Sequence, residues 1–258
     1  MNNRELLLEE QPPGGRGLRV SLLFAPGSRP TSAMMQQLFA SNEMAGISGQ
    51  ISYSPDESEG WLEILASGLT FDLRGLAPAD PAEPCVPGQN YGFAEDAADK
   101  PLEAIDLVPG GHIAAGGGLQ PVVRALAGLA ANLVLNLPVA AVVWHTAGTR
   151  MEPRYFARSV LDWLSGGAFP ALGLTALLPS SDGSVASHGL AHFTGQEIQM
   201  AGAPGETHAD TVKLALRVID YLVRKGRLTQ AQEISGPGIT LLAEPSQYSN
   251  RVWIWRKE

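Results

Sequence analysis

Ala66-Ser67-Gly68-Leu69-Thr70-Phe71 and Ala186-Ser187-His188-Gly189-Leu190-Ala191-His192-Phe193 are nearly one phrase written twice, about 120 residues apart, each after a run of strand character. That spacing is too long for a solenoid repeat and suits a duplicated unit. The elements around each copy follow one order. In the first half, Leu18 to Ala25 reads as an apolar strand stopped by Pro26-Gly27, and Thr31 opens a helix carrying Met34, Met35, Leu38 and Phe39 at helical spacing. Ile47 to Tyr53 and Trp61 to Leu65 read as the next two strands.

In the second half, Val139 to His145 is the strand, and Pro153 opens a helix through Tyr155, Phe156, Val160, Leu161 and Trp163. Leu172 to Leu178 and Val185 to Phe193 follow as strands. Each unit is expected to end in a long helix. Pro121 to Leu135 is apolar nearly all round and should be central. Thr207 with Asp210 caps a helix with Val212, Leu216, Ile219 and Val223 on one face and Gly226 as its stop. Ile239 to Ala243 and Arg251 to Arg256 read as a closing hairpin, and the basic residues Arg251, Arg256 and Lys257 read as protection of an edge strand.

The expected fold is therefore α+β: two fused ferredoxin-like β-α-β-β-α units with antiparallel or mixed sheets, packed as one body. The units divide as a flexible tail over 1–17, a first unit over 18–137 and a second over 138–258. Residues 77–110 are expected as an acidic, proline-rich surface excursion. Between Ala77 and Asp106 seven acids stand against Lys100 alone, with five prolines. His112 to Ala115 reads as a short strand leading into Gly116-Gly117-Gly118.

Composition narrows the function. A net charge of -8 argues against nucleic acid as a partner. The one cysteine, Cys85, excludes an internal disulfide and a thiolate cage and fits a cytoplasmic setting. No secretion signal is read at the N-terminus, and the weakly charged run from Leu119 to Trp144 is broken by Asn132, Asn136 and Pro138, so no membrane span is expected. The glycines of residues 110–118 match neither a GxxxxGK[ST] loop nor GxGxxG, and GxSxG and HExxH are missing. No cofactor is implied.

Two constellations remain. His188, His192 and Glu197, with His145 at the end of a strand, could gather as an acid/base cluster, because positions 188 and 192 share a face of an extended strand. Trp144, Tyr155 and Gln196 are candidate ligand-binding residues, the aromatic set extending to Trp163, Trp253 and Trp255.

Ser187-His188-Gly189-Leu190-Ala191-His192-Phe193 with Gly195-Gln196-Glu197-Ile198, the helix ending at Tyr221-Leu222-Val223 and the region Ile239 to Ala243 together resemble a bacterial family known only as domain of unknown function family 4261. The run from His112 through Trp144 is similar to that family's helix-then-strand passage. The resemblance implies no established activity, catalytic residue or cofactor. Two readings of function stand: a non-catalytic accessory or binding protein with a protein partner or ligand, and a small hydrolase or metal-dependent enzyme built on the His188, His192, Glu197 and His145 cluster.

Overall fold

Val20–Phe24 (β1) is buried at every position, as an apolar run lying in mid-sheet must be. The computed structural model describes residues 17–41, 49–83, 86–94, 101–203, 205–236 and 239–257. Gly17 apart, the expected tail lies outside them, as do Cys85 and the acids Glu95, Asp96 and Asp99. After β1, the Thr31 hydroxyl accepts the Met34 N–H and starts α1 (Ser32–Ala40). There follow β2 (Gly49–Tyr53), β3 (Trp61–Ala66), β4 (Leu69–Arg74), β5 (Gln89–Tyr91) and β6 (Glu103–Pro109). The central helix α2 (Gln120–Asn136) buries Leu126, Leu129, Leu133 and most of their neighbours, as its all-round apolarity requires.

The second half holds β7 (Ala141–Trp144), β8 (Thr149–Met151), α3 (Pro153–Leu164), α4 (Ala171–Leu174), β9 (Ala176–Pro179), β10 (Val185–His188), α5 (Ala191–Thr194) and β11 (Glu197–Met200). It closes with α6 (His208–Lys225), β12 (Gln232–Gly236), β13 (Ile239–Pro245) and β14 (Arg251–Arg256). Thr207 caps α6 by accepting the Asp210 N–H at 3.3 Å, and its hydroxyl donates to the Asp210 carboxylate at 2.6 Å.

Among the described residues the strands form an eight-stranded sheet, β2-β3-β4-β6-β1-β7-β8-β5, and a six-stranded one, β12-β13-β14-β11-β10-β9. All pairs are antiparallel except β5 with β8 and β11 with β14. The class is thus α+β with mixed sheets. One apolar core joins both sheets through α2, α3 and α6, from Leu22 and Ile105 to Trp144, Val218 and Ile254. No helix of the described residues is long and apolar enough to cross a membrane.

The repeated phrase takes two different structures. Ser67 and Gly68, with φ of 53° and 75°, make the two-residue turn of the β3–β4 hairpin, the conformation that suits the twist of paired strands. In the second copy β10 ends at His188, Gly189 turns the chain at φ 88°, and Ala191–Thr194 coil into α5. Around that copy β7 and β8 pair within the first sheet, and α6 precedes three strands instead of closing a unit.

Three local expectations are corrected. The acidic excursion contains β6, which lies between β4 and β1, because Ile105 and Leu107 alternate into the core while Asp106 finds polar partners on the other face. Ala82, Phe93 and Leu102 of the same excursion pack on Leu23, Ala104, Ala141 and Val143, forming a second small core on the sheet's outer face. His112 to Ala115 forms a turn and a 3₁₀ turn, not a strand. Finally, β14 is no edge, since β13 and β11 flank it.

Candidate functional site

Glu197, the first residue of β11, spends its carboxylate on the chain itself. It accepts the Ser187 hydroxyl at 2.5 Å and the backbone N–H groups of Gly189, Leu190 and Ala191 at 2.9, 3.2 and 3.0 Å. Four donors fill the acceptor sites a carboxylate has, which leaves none to take a substrate proton. Glu197 is the fastener of the β10–α5 corner. That corner must be glycine at 189, where a Cβ would sit 2.9 Å from the Thr146 carbonyl oxygen.

The other members of the second-half cluster point elsewhere. His188 is exposed at the end of β10. Buried Gln196 donates to the Leu228 carbonyl at 3.0 Å and accepts the Leu228 N–H at 2.8 Å, which pins the chain between α6 and β12. His192 lies in α5, and its buried Nε2 has no hydrogen-bond partner among the described residues. Burial holds this imidazole below its ordinary pKa, with the Gly117 carbonyl acting in the opposite sense.

His192 therefore sets a pH dependence. As pH falls through the ordinary imidazole value of about 6.5, the unfolded chain takes up a proton that the folded chain refuses until its own lower pKa is reached. Stability from this group is present above that window and lost within it. His192→Gln should lose less stability than the wild type between pH 7.5 and 5.5 in urea titrations; equal losses would show that the ring is solvated.

His145 belongs to a different group. Just beyond β7, it meets Arg19, the residue before β1, Ser21 of β1 and Asp106 of β6, with Ser21 opposite both Asp106 and Val143 in register. Arg19 Nε and Nη2 lie 3.2 and 2.9 Å from His145 Nδ1, Ser21 Oγ lies 2.6 Å from His145 Nε2 and 2.5 Å from Asp106 Oδ1, and Arg19 Nη1 lies 3.1 Å from Asp106 Oδ2. The four side chains close a ring.

The donors assign the tautomer. A guanidinium only donates, so Nδ1 accepts, Nε2 carries the hydrogen and donates to Ser21, and the Ser21 hydroxyl donates to Asp106. In a nucleophilic triad the imidazole accepts the serine proton and the carboxylate holds Nδ1; here the imidazole donates to the serine, Arg19 holds Nδ1 and the carboxylate accepts from the serine. Ser21 is also 1% exposed. The ring is a buried clasp across three central strands. Burial raises the Asp106 carboxyl above its ordinary pKa, while Ser21, Arg19 and Arg74 pull it down. Arg19, Ser21 and Asp106 were not singled out from the sequence; the alternation Ala104-Ile105-Asp106-Leu107 was the available signal.

The aromatic residues separate by layer. Trp144 is fully buried and lies nearly parallel to Phe193 at 6.4 Å, with Trp163 and Phe169 completing the cluster. Tyr155 is half-buried, and its hydroxyl donates to the Leu172 carbonyl at 2.8 Å. Neither Trp144 nor Tyr155 lines a groove with Gln196: the two depressions described, of about 470 and 350 Å³, are lined by none of the seven sequence candidates. Among the described residues no three His, Cys, Asp or Glu side chains gather as a metal site.

Trp253 and Trp255 are the exception. On β14 they alternate with buried Val252 and Ile254, so they stand on the outer face of the second sheet, 36% and 41% exposed, with rings 16° from parallel and centroids 6.0 Å apart. Of the four exposed aromatic residues among those described, Tyr53, Tyr248, Trp253 and Trp255, three belong to the β13–β14 hairpin. The Arg251 guanidinium lies 6.0 Å from the Trp253 ring and donates to Gln199 at 2.5 Å. Glu244 stands beside Trp253, Leu242 beside Trp255, and Glu233 beside Leu242. No family model matches this chain, and neither the curated proteins nor the solved structures include a match to it.

Proposed function

We propose that this protein is a non-catalytic binding protein that engages a protein partner through the outer face of its second sheet. The exposure of Trp253 and Trp255 beside Arg251 carries the reading. Trp and Arg are the residue types that dominate binding energy at protein interfaces, and leaving two tryptophans half in water costs a protein that has no use for them. The hydrolase or metal-enzyme reading has less support, since the Glu197 carboxylate is spent on backbone groups and His145 is held in the clasp. Acidic character and a lone cysteine fit a cytoplasmic role.

Immobilised wild-type chain and a Trp253→Ser/Trp255→Ser variant, offered the same cell extract, test this. The variant should keep the wild-type melting profile, because Val252 and Ile254 hold the strand's core contacts. A protein retained by the wild type and lost from the variant is the expected result. Equal retention by both overturns the reading, and hydrolysis of ester or phosphoester substrates that disappears in His145→Ala would favour the enzyme instead.

A further inference from the structure

We infer that the occupant of the Trp253–Trp255 face is a second copy of this chain, paired face to face about a twofold axis running along β14; this rests on the binding reading above and names its partner. The face is self-complementary in charge. β13 brings Glu244 to one side of the tryptophans, while Glu233 of β12 beyond it is paired with Lys257, and β11 brings Gln199 to the other, where it accepts from the Arg251 guanidinium. A twofold axis along β14 exchanges those sides: β13 of one copy lies over β11 of the other, and the two tryptophan pairs meet at the centre. Glu244 of each copy then faces the Gln199–Arg251 pair of the other. Any other axis in the plane of the face that crosses the strands loses this match.

The dimensions suit a reversible pair. Six strands about 4.8 Å apart give a face about 24 Å wide, and its strands are about 17 Å long, so two copies bury on the order of 1,000 Å² in total. That is the size of weak, transient interfaces, so the pair is sought across micromolar concentrations. The apolar centre with a charged rim is the arrangement such interfaces take. Aligned packing of two twisted sheets requires no bend in either.

Sedimentation velocity on the full chain from about 1 to about 100 µM tests the inference. The expected result is a shift from the 27.3 kDa protomer to twice that mass across the range. Trp253→Ser/Trp255→Ser should raise the dissociation constant about thirty-fold or more. Glu244→Arg and Arg251→Glu should each weaken the pair by setting like charges against each other, and the chain carrying both should regain it. A monomer throughout, a dimer indifferent to these substitutions, or no regain in the double variant overturns the inference. Retention of another protein by a monomeric wild type, lost with the tryptophans, overturns self-pairing while leaving the binding reading intact.

Discussion

Asp106→Ala is expected to lower the free energy of unfolding by about 3 kcal/mol at pH 7, and Asp106→Asn by less than about 1 kcal/mol. Alanine leaves the Ser21 hydroxyl without its acceptor and the Arg19 guanidinium without its counter-ion. Because the Arg19 side chain is 35% exposed, water takes part of the orphaned charge, which keeps the cost at the low end for a broken buried pair. Asparagine still offers Ser21 an oxygen, and it removes the charge whose burial raises the Asp106 carboxyl above its ordinary pKa.

The raised pKa fixes the sign of the pH effect. The folded chain binds the Asp106 proton more readily than the unfolded one, so the wild type gains stability from this group as pH falls through the raised value toward the ordinary value of about 3.9. Asparagine gains nothing there, and the difference between the two proteins should move in favour of the wild type on acidification. Urea titrations at pH 7 and pH 4 read both effects. Negligible costs for both Ala and Asn at pH 7 would mean that the clasp adds no stability, and an Asn cost as large as that of Ala would mean that the Arg19 ion pair outweighs the burial of the charge.

Local signals placed α1, α2, α3, α6 and most strands, whereas α4 and α5 fall on stretches that read as strands. Thr31, Pro153 and Thr207 open α1, α3 and α6 where capping chemistry says they should, and the closing hairpin follows from the alternation of Val252 and Ile254 with Trp253 and Trp255. What was not legible depends on partners distant in sequence. Asp106 reads as a surface acid because Ser21, Arg19 and His145, which allow it into a central strand, lie 85, 87 and 39 residues away. The repeated phrase misled in a related way. Two stretches with the same apolar lettering take different folds once Gly189 finds the Thr146–Ala147 backbone against it and Glu197 collects the freed N–H groups. Of the candidate residues, His145 alone entered a polar side-chain cluster, and its companions were not those the sequence suggested.

Glu197→Ala should destabilise the fold by about 3 kcal/mol and lower the melting temperature by roughly 6 to 12 °C. The carboxylate holds three successive N–H groups that no helical partner can take, since they open α5, and charge-assisted bonds of this kind are the stronger ones. It also orients Ser187, whose oxygen accepts the Ile198 N–H at 2.8 Å and so ties β10 to β11. Glu197→Gln keeps one acceptor oxygen but turns an amide NH₂ toward the remaining donors, and should cost about half as much as alanine. The ordering separates the two roles proposed for this residue. A catalytic carboxylate held ready for substrate is often neutral or even costly to stability, so its removal leaves the melting temperature level or raised. Thermal melts of wild type, Glu197→Gln and Glu197→Ala falling in that order assign Glu197 to the corner it fastens; a level or rising series would return it to chemistry.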